Sequence, residues 1–190
     1  MRRDDEKLAR SLIDQIRLRL DKLEELVDAS AAVEPLPEGY LTPHFTLAEL
    51  TYSSTAEING IDNSPNDDEL AELTKTAELL EEIRSILGAP VVVSSGFRCE
   101  EVNTLVGGAE NSAHRWGGAA DIEAPEFGDP LAICKAIEPH MVTLGIDQLI
   151  YESGGGAYWV HVGRPEPGNG ARCQPFTIAN GATCYAPFPG

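Results

Sequence analysis

Apolar residues near the start of the chain recur with alternating spacings of three and four: Ile13, Ile16, Leu20, Leu23 and Val27. That is a heptad seam, and it predicts one helix over residues 4–29. Leu8, Leu12, Leu18 and Leu26 lie off the seam and widen the apolar face, while Arg17, Arg19, Asp21, Lys22, Glu24 and Glu25 fill the rest. Such a helix either packs on its own domain or serves as a docking or oligomerising element. Five seam positions are too few to hold a coiled coil alone. Pro35 and Pro37 punctuate residues 31–43 as a linker. A compact domain is expected over 44–164, and residues 165–190, rich in Gly, Pro and Asn, read as an irregular tail.

Inside that domain, Thr46 and Glu49 form a capping box for a short helix at 47–50. Asn66, Asp67 and Asp68 precede a longer helix from about Glu69 to Leu87, with Leu70, Leu73, Ala77, Leu80, Ile83 and Leu87 on one face and Gly88 as the stop. The β-branched run at 90–95 reads as a buried strand, 100–106 as a short helix, 119–124 as a strand and 129–142 as a third helix. Strands at 147–151 and 158–162 are joined by the Gly154-Gly155-Gly156 turn. Helices flanking a small central antiparallel sheet give an α+β fold.

Composition narrows the partners. A chain of 190 residues has room for one good-sized domain plus extensions. A formal charge of -17 repels phosphates and argues against nucleic acid. No apolar run approaches bilayer length, so membrane insertion is not expected. The opening Met-Arg-Arg-Asp-Asp-Glu-Lys lacks the apolar core of a signal peptide, so a substrate outside the cytoplasmic membrane would be reached by another route. Cys99, Cys134, Cys173 and Cys184 contain no CxxC pair, which speaks against a cysteine zinc site; Cys173 and Cys184 bracket a turn-rich segment and are either a local disulfide or two thiols.

The candidate chemistry lies in the histidines. His114 and Asp121 are seven residues apart, with Gly117, Gly118, Ala119 and Ala120 between them. A His and a carboxylate are an ordinary zinc ligand pair, but a buried His hydrogen-bonded to an Asp has the same pattern. His161 lies on the second hairpin strand, where alternation puts it on one face with Trp159 and puts Tyr158, Val160 and Val162 on the other. Two His and one Asp leave a fourth zinc position open, the arrangement of a catalytic rather than a structural site. Glu152 ends the first hairpin strand, across from the His161 strand, and is either a general base or a solvated turn glutamate.

The run Ser112-Ala-His114-Arg-Trp-Gly117-Gly-Ala119-Ala-Asp121 resembles the S-x-H-x-x-G-x-A-x-D pattern of the M15 zinc peptidases, the group of D-Ala-D-Ala carboxypeptidases and L-alanyl-D-glutamate endopeptidases. Ser94-Ser-Gly-Phe-Arg98, with Glu101-Val-Asn103 and Val106-Gly-Gly108, is similar to the S-G-Y-R…N-x-x-V-G-G run of that family. Phe45-Thr-Leu-Ala-Glu49-Leu resembles the start of the branch found in phage and bacterial lysins. The resemblance covers roughly residues 44–164.

It implies His114, Asp121 and His161 as ligands of Zn2+, with Arg98 facing a substrate carboxylate or a developing oxyanion. Ser112 is implied as a support for substrate or for the ligand loop, and Trp159 lines the substrate cleft. The pattern departs where many members carry E-x-x-H or H-x-H, since those positions are Tyr158 and Trp159. The run Asp147-Gln-Leu-Ile-Tyr-Glu152-Ser instead resembles hedgehog signalling domains, zinc folds of similar architecture, and makes Glu152 the base. The function implied is hydrolysis of amide bonds in peptidoglycan peptides by a phage lysin or virion-associated wall hydrolase. The alternative is a non-catalytic virion structural or wall-binding protein that retains the zinc fold.

Overall fold

The computed structural model describes residues 35–179 continuously, together with residues 13, 15–17 and 19–23 near the start and 182–184 and 188 near the end. The chain divides into two units, Met1–Pro37 and Glu38–Gly190. In the first, residues 13, 15–17 and 19–23 are helical, with Ile13, Ile16, Leu20 and Leu23 each about half exposed. The rest of the expected helix over 4–29 lies outside the described residues.

The second unit begins with two short helices. In α1 (Leu47–Thr51) the Thr46 hydroxyl accepts the Glu49 N–H at 3.1 Å. The next, α2 (Ser54–Asn59), has no counterpart in the sequence reading; Ser53 caps its start and Gly60 closes it. Asn66 and Glu69 form a reciprocal capping box for α3 (Asp67–Leu87), whose apolar stripe of Leu73, Ala77, Leu80 and Ile83 is fully buried. Then come β1 (Val92–Ser95), α4 (Glu100–Leu105), a 3₁₀ turn at Ala113–Trp116 and β2 (Ala119–Glu123). Asp129 caps α5 (Pro130–Ile137), which does not run on to Val142. Pro139 supplies no N–H and breaks the run, so a 3₁₀ turn at Glu138–His140 and a short α6 (Met141–Leu144) follow.

The hairpin strands β3 (Gln148–Gly154) and β4 (Ala157–Gly163) pair antiparallel. Gly155 and Gly156 both have positive φ, 60° and 86°, as a two-residue type I′ turn requires. That turn sets the register, pairing Glu152 with Trp159 and Ile150 with His161. The chain after Arg164 corrects the expectation of an irregular tail, for it carries β5 (Gln174–Ala179) and β6 (Ala182–Cys184). Pro175 and the Gly-rich approach hide β5 in the sequence, but a strand tolerates Pro where no ladder N–H is needed. Among the described residues the sheet therefore has six strands, in the order β1-β2-β4-β3-β5-β6. It is antiparallel except where β5 runs parallel to β3, so the antiparallel sheet expected from sequence is in fact mixed. The α+β class stands.

One sheet face carries Ile122, Val160, Val162 and Leu149 into a core with α3 and α5. The opposite face is the floor of an open cleft of about 1650 Å³. Cys99, Cys134 and Cys173 are free thiols, so Cys173 is not in a disulfide. Among the described residues no helix is long and apolar enough to cross a membrane.

β5 is anchored where it meets β3. The buried Asp147 carboxylate accepts the Arg172 backbone N–H at 2.7 Å and the Arg172 Nη2 at 2.5 Å. Burial opposes the Asp147 charge, but Arg172 outweighs it and holds the carboxyl below its ordinary value of 3.8. A depressed carboxylate stabilises the fold above its unfolded pKa and loses that contribution as pH falls through the folded one. Asp147→Asn is therefore expected to lower the Tm near neutral pH. The gap to wild type should close below about pH 3.8, as thermal melts across an acid series would show.

Candidate metal centre

Three side chains from separate elements converge at the cleft floor. His114 comes from the 3₁₀ turn, Asp121 from β2 and His161 from β4, where Asp121 and His161 are direct register partners. The His161 Nδ1 lies 2.9 Å from Asp121 Oδ1, and the His114 Nε2 lies 3.3 Å from the same oxygen. The two ring nitrogens are 3.1 Å apart. All three residues are buried, and their donor atoms fall within 4.8 Å of one another.

The tautomer of His114 is fixed from behind. Its Nδ1 lies 2.7 Å from the Gly96 carbonyl, which can only accept, so Nδ1 carries the proton and the Nε2 lone pair faces the centre. Burial pushes the His114 imidazole towards its neutral form, against the pull of the Asp121 charge. Burial also disfavours the Asp121 carboxylate, yet His114 and His161 outweigh it and hold the carboxyl below the usual range. Two ring nitrogens and one carboxylate oxygen so close together cannot all satisfy one another through protons. A divalent cation satisfies every lone pair at once, and an N₂O donor set suits a borderline metal. These residues fit a metal ion.

Gly96 is there because of a close approach. A Cβ at that position would lie 2.2 Å from the Leu50 carbonyl oxygen, so any side chain would displace the very backbone that orients His114.

Arg98 is beside the trio. Its Nη2 donates to Asp121 Oδ2 at 2.5 Å and its Nε to Ser95 Oγ at 2.8 Å, so one nitrogen holds the ligand Asp and a second is fixed on Ser95. Ser112 lines the cleft and precedes the 3₁₀ turn, where its hydroxyl makes no cap bond. Trp159 lines the cleft too, and its buried indole N–H lies towards the Glu152 carboxylate, whose charge it favours. Glu152, its cross-strand partner, is diagonal to His161 on the same face. Burial raises the Glu152 pKa, the Asp121 charge raises it further, and His161, Trp159 and Arg98 partly offset both.

Asn63 was invisible from sequence, where it is one polar residue in a loop. Its Nδ2 donates to the carbonyls of Thr51 at 2.8 Å and Phe97 at 3.0 Å, and its Oδ1 accepts the Cys99 N–H at 2.7 Å. It thus clamps the backbone on both sides of Arg98. Asn63→Ala is expected to cost about 2–4 kcal/mol in denaturant unfolding, because buried backbone groups lose their partners.

No curated protein matches the chain. A family model described as Peptidase M15 matches residues 43–162, well over half the chain and with the whole His-Asp-His trio inside it. With this geometry on the floor of its cleft, the chain belongs to the peptidase M15 family, a family of zinc peptidases.

Proposed function

We propose that this protein is a zinc-dependent peptidase that hydrolyses amide bonds in peptidoglycan stem peptides or cross-links, as a phage lysin or virion-associated wall hydrolase. The observation that carries the hydrolytic reading is Glu152, a partly buried carboxylate on the cleft face, one register step from His161 and outside the donor trio. A base must lie near the attacking water without being consumed as a ligand.

His114, Asp121 and His161 would hold the zinc ion. When bound, zinc supplies Lewis acidity, polarising the scissile carbonyl and acidifying water. Glu152 accepts the proton of the attacking water and returns it to the leaving amine. Arg98 keeps Asp121 in place through Nη2 and offers Nη1 to the substrate carbonyl. Trp159 offers its ring as a wall of the cleft for the substrate to pack on, while its indole N–H faces Glu152.

The peptidoglycan substrate is supported by the resemblance of Phe45–Leu50 to the lysin branch. The exposed seam of Ile13, Ile16, Leu20 and Leu23 supports docking on a larger assembly or on another copy. Delivery by a virion, or release at host lysis, would bring the enzyme to the wall.

Digestion of purified peptidoglycan by the zinc-loaded protein, followed by mass spectrometry, tests this reading. New amino and carboxyl termini within stem peptides are expected. Intact peptides after prolonged incubation would overturn the enzyme and favour the wall-binding alternative.

A further inference from the structure

The cleft face of the sheet is a grid, and its outer column comes from a segment beyond the family match at 43–162. Across the strands, Asp121 pairs with His161, His161 with Ile150, and Ile150 with Phe176. In the neighbouring row Trp159 pairs with Glu152, and Glu152 with Ile178. Ile150, Phe176 and Ile178 all line the same cleft as Glu152 and His161. Ile150 and Phe176 are buried in its floor, whereas Ile178 is partly exposed. The metal trio is thus at one end of a row, and an apolar surface supplied largely by β5 is at the other, with Glu152 between Trp159 and Ile178.

We propose that Ile150, Phe176 and Ile178 form a subsite for a small aliphatic side chain on the residue that carries the leaving amine. This rests on the proposed role of Glu152. The proton it returns goes to that amine, so the leaving residue passes closest to Glu152 and its side chain falls on the adjoining strand. None of the three side chains offers a donor or acceptor, so a charged side chain there would be desolvated without a partner. An acidic one would also face the Glu152 carboxylate. The subsite therefore admits an alanine-like residue on the leaving side and disfavours a glutamate-like one, choosing among the stem-peptide bonds. The Asp147–Arg172 tie holds β5 in position for this task.

Two peptides that differ only in an alanine or a glutamate on the leaving side test the subsite, with kcat/KM measured on the zinc-loaded full chain. Binding of both peptides to the wild type and to Ile178 variants is followed by calorimetry. The wild type is expected to prefer the alanine peptide by roughly tenfold or more, the range one apolar contact commands. Ile178→Lys should raise KM for the alanine peptide and narrow or invert the preference; Ile178→Thr, still β-branched but shorter and polar, gives the same direction if the lysine variant does not fold. An unchanged preference and unchanged binding in a folded variant, with cleavage intact, overturn the subsite and leave the peptidase reading standing. Binding that depends on Ile178 without any cleavage overturns the peptidase reading and leaves the subsite standing. Neither binding nor cleavage overturns both.

Discussion

His161→Ala is expected to abolish peptide hydrolysis, with kcat/KM falling by at least about 10³-fold out of the roughly 10⁶-fold or more that enzymes provide. His161 is one of the three donors found among the described residues, and it shares Asp121 Oδ1 with His114, so a two-donor remnant holds zinc weakly. The side chain points into the cleft rather than the core, because its neighbours Val160 and Val162 face the other way. The variant should therefore fold. Its signature is the loss of the zinc-induced rise in Tm that any ligand bound only by the folded state confers. Full hydrolysis and an unchanged zinc-dependent Tm in this variant would refute the metal centre.

Glu152→Gln is expected to lower kcat by about 10²–10⁴-fold, the range ascribed to a positioned general base. Glutamine keeps the shape and loses the capacity to take a proton. Because Glu152 is outside the donor trio, zinc affinity should stay within a few-fold of wild type in a competition titration with a chromophoric chelator. The two substitutions thus separate by readout: His161→Ala loses metal and activity together, whereas Glu152→Gln loses activity alone. A Glu152→Gln enzyme with undiminished kcat would assign the proton transfers elsewhere.

Much of this site was legible because ligand spacing and strand alternation are local properties. Placing Trp159 and His161 on one face and Val160 and Val162 on the other needs only a period of two, and the buried valines bear it out. The α3 stripe was equally legible, since Leu73, Ala77, Leu80 and Ile83 follow the helical period. What escaped depends on contacts between distant segments. The Gly96 carbonyl that orients His114 is 18 residues away from it, and the residues Asn63 clamps lie 12, 34 and 36 positions away. No spacing rule reaches those. β5 was missed for another reason: Pro175 and a glycine-rich approach contradict a strand by local preference, and only the open edge of β3 makes one there.

The direct pairing of Asp121 with His161 across β2 and β4 also makes metal capture a proofreader of folding. These two residues are 40 positions apart in the chain, so their strands meet late, after a long loop has closed. A slip of one residue would turn His161 into the core and bring Val160 or Val162 to the cleft. Only the correctly aligned sheet presents both donors to the same ion. Free zinc during refolding should thus draw the population out of misaligned states, speeding the yield of native protein without touching the chain's earliest helices.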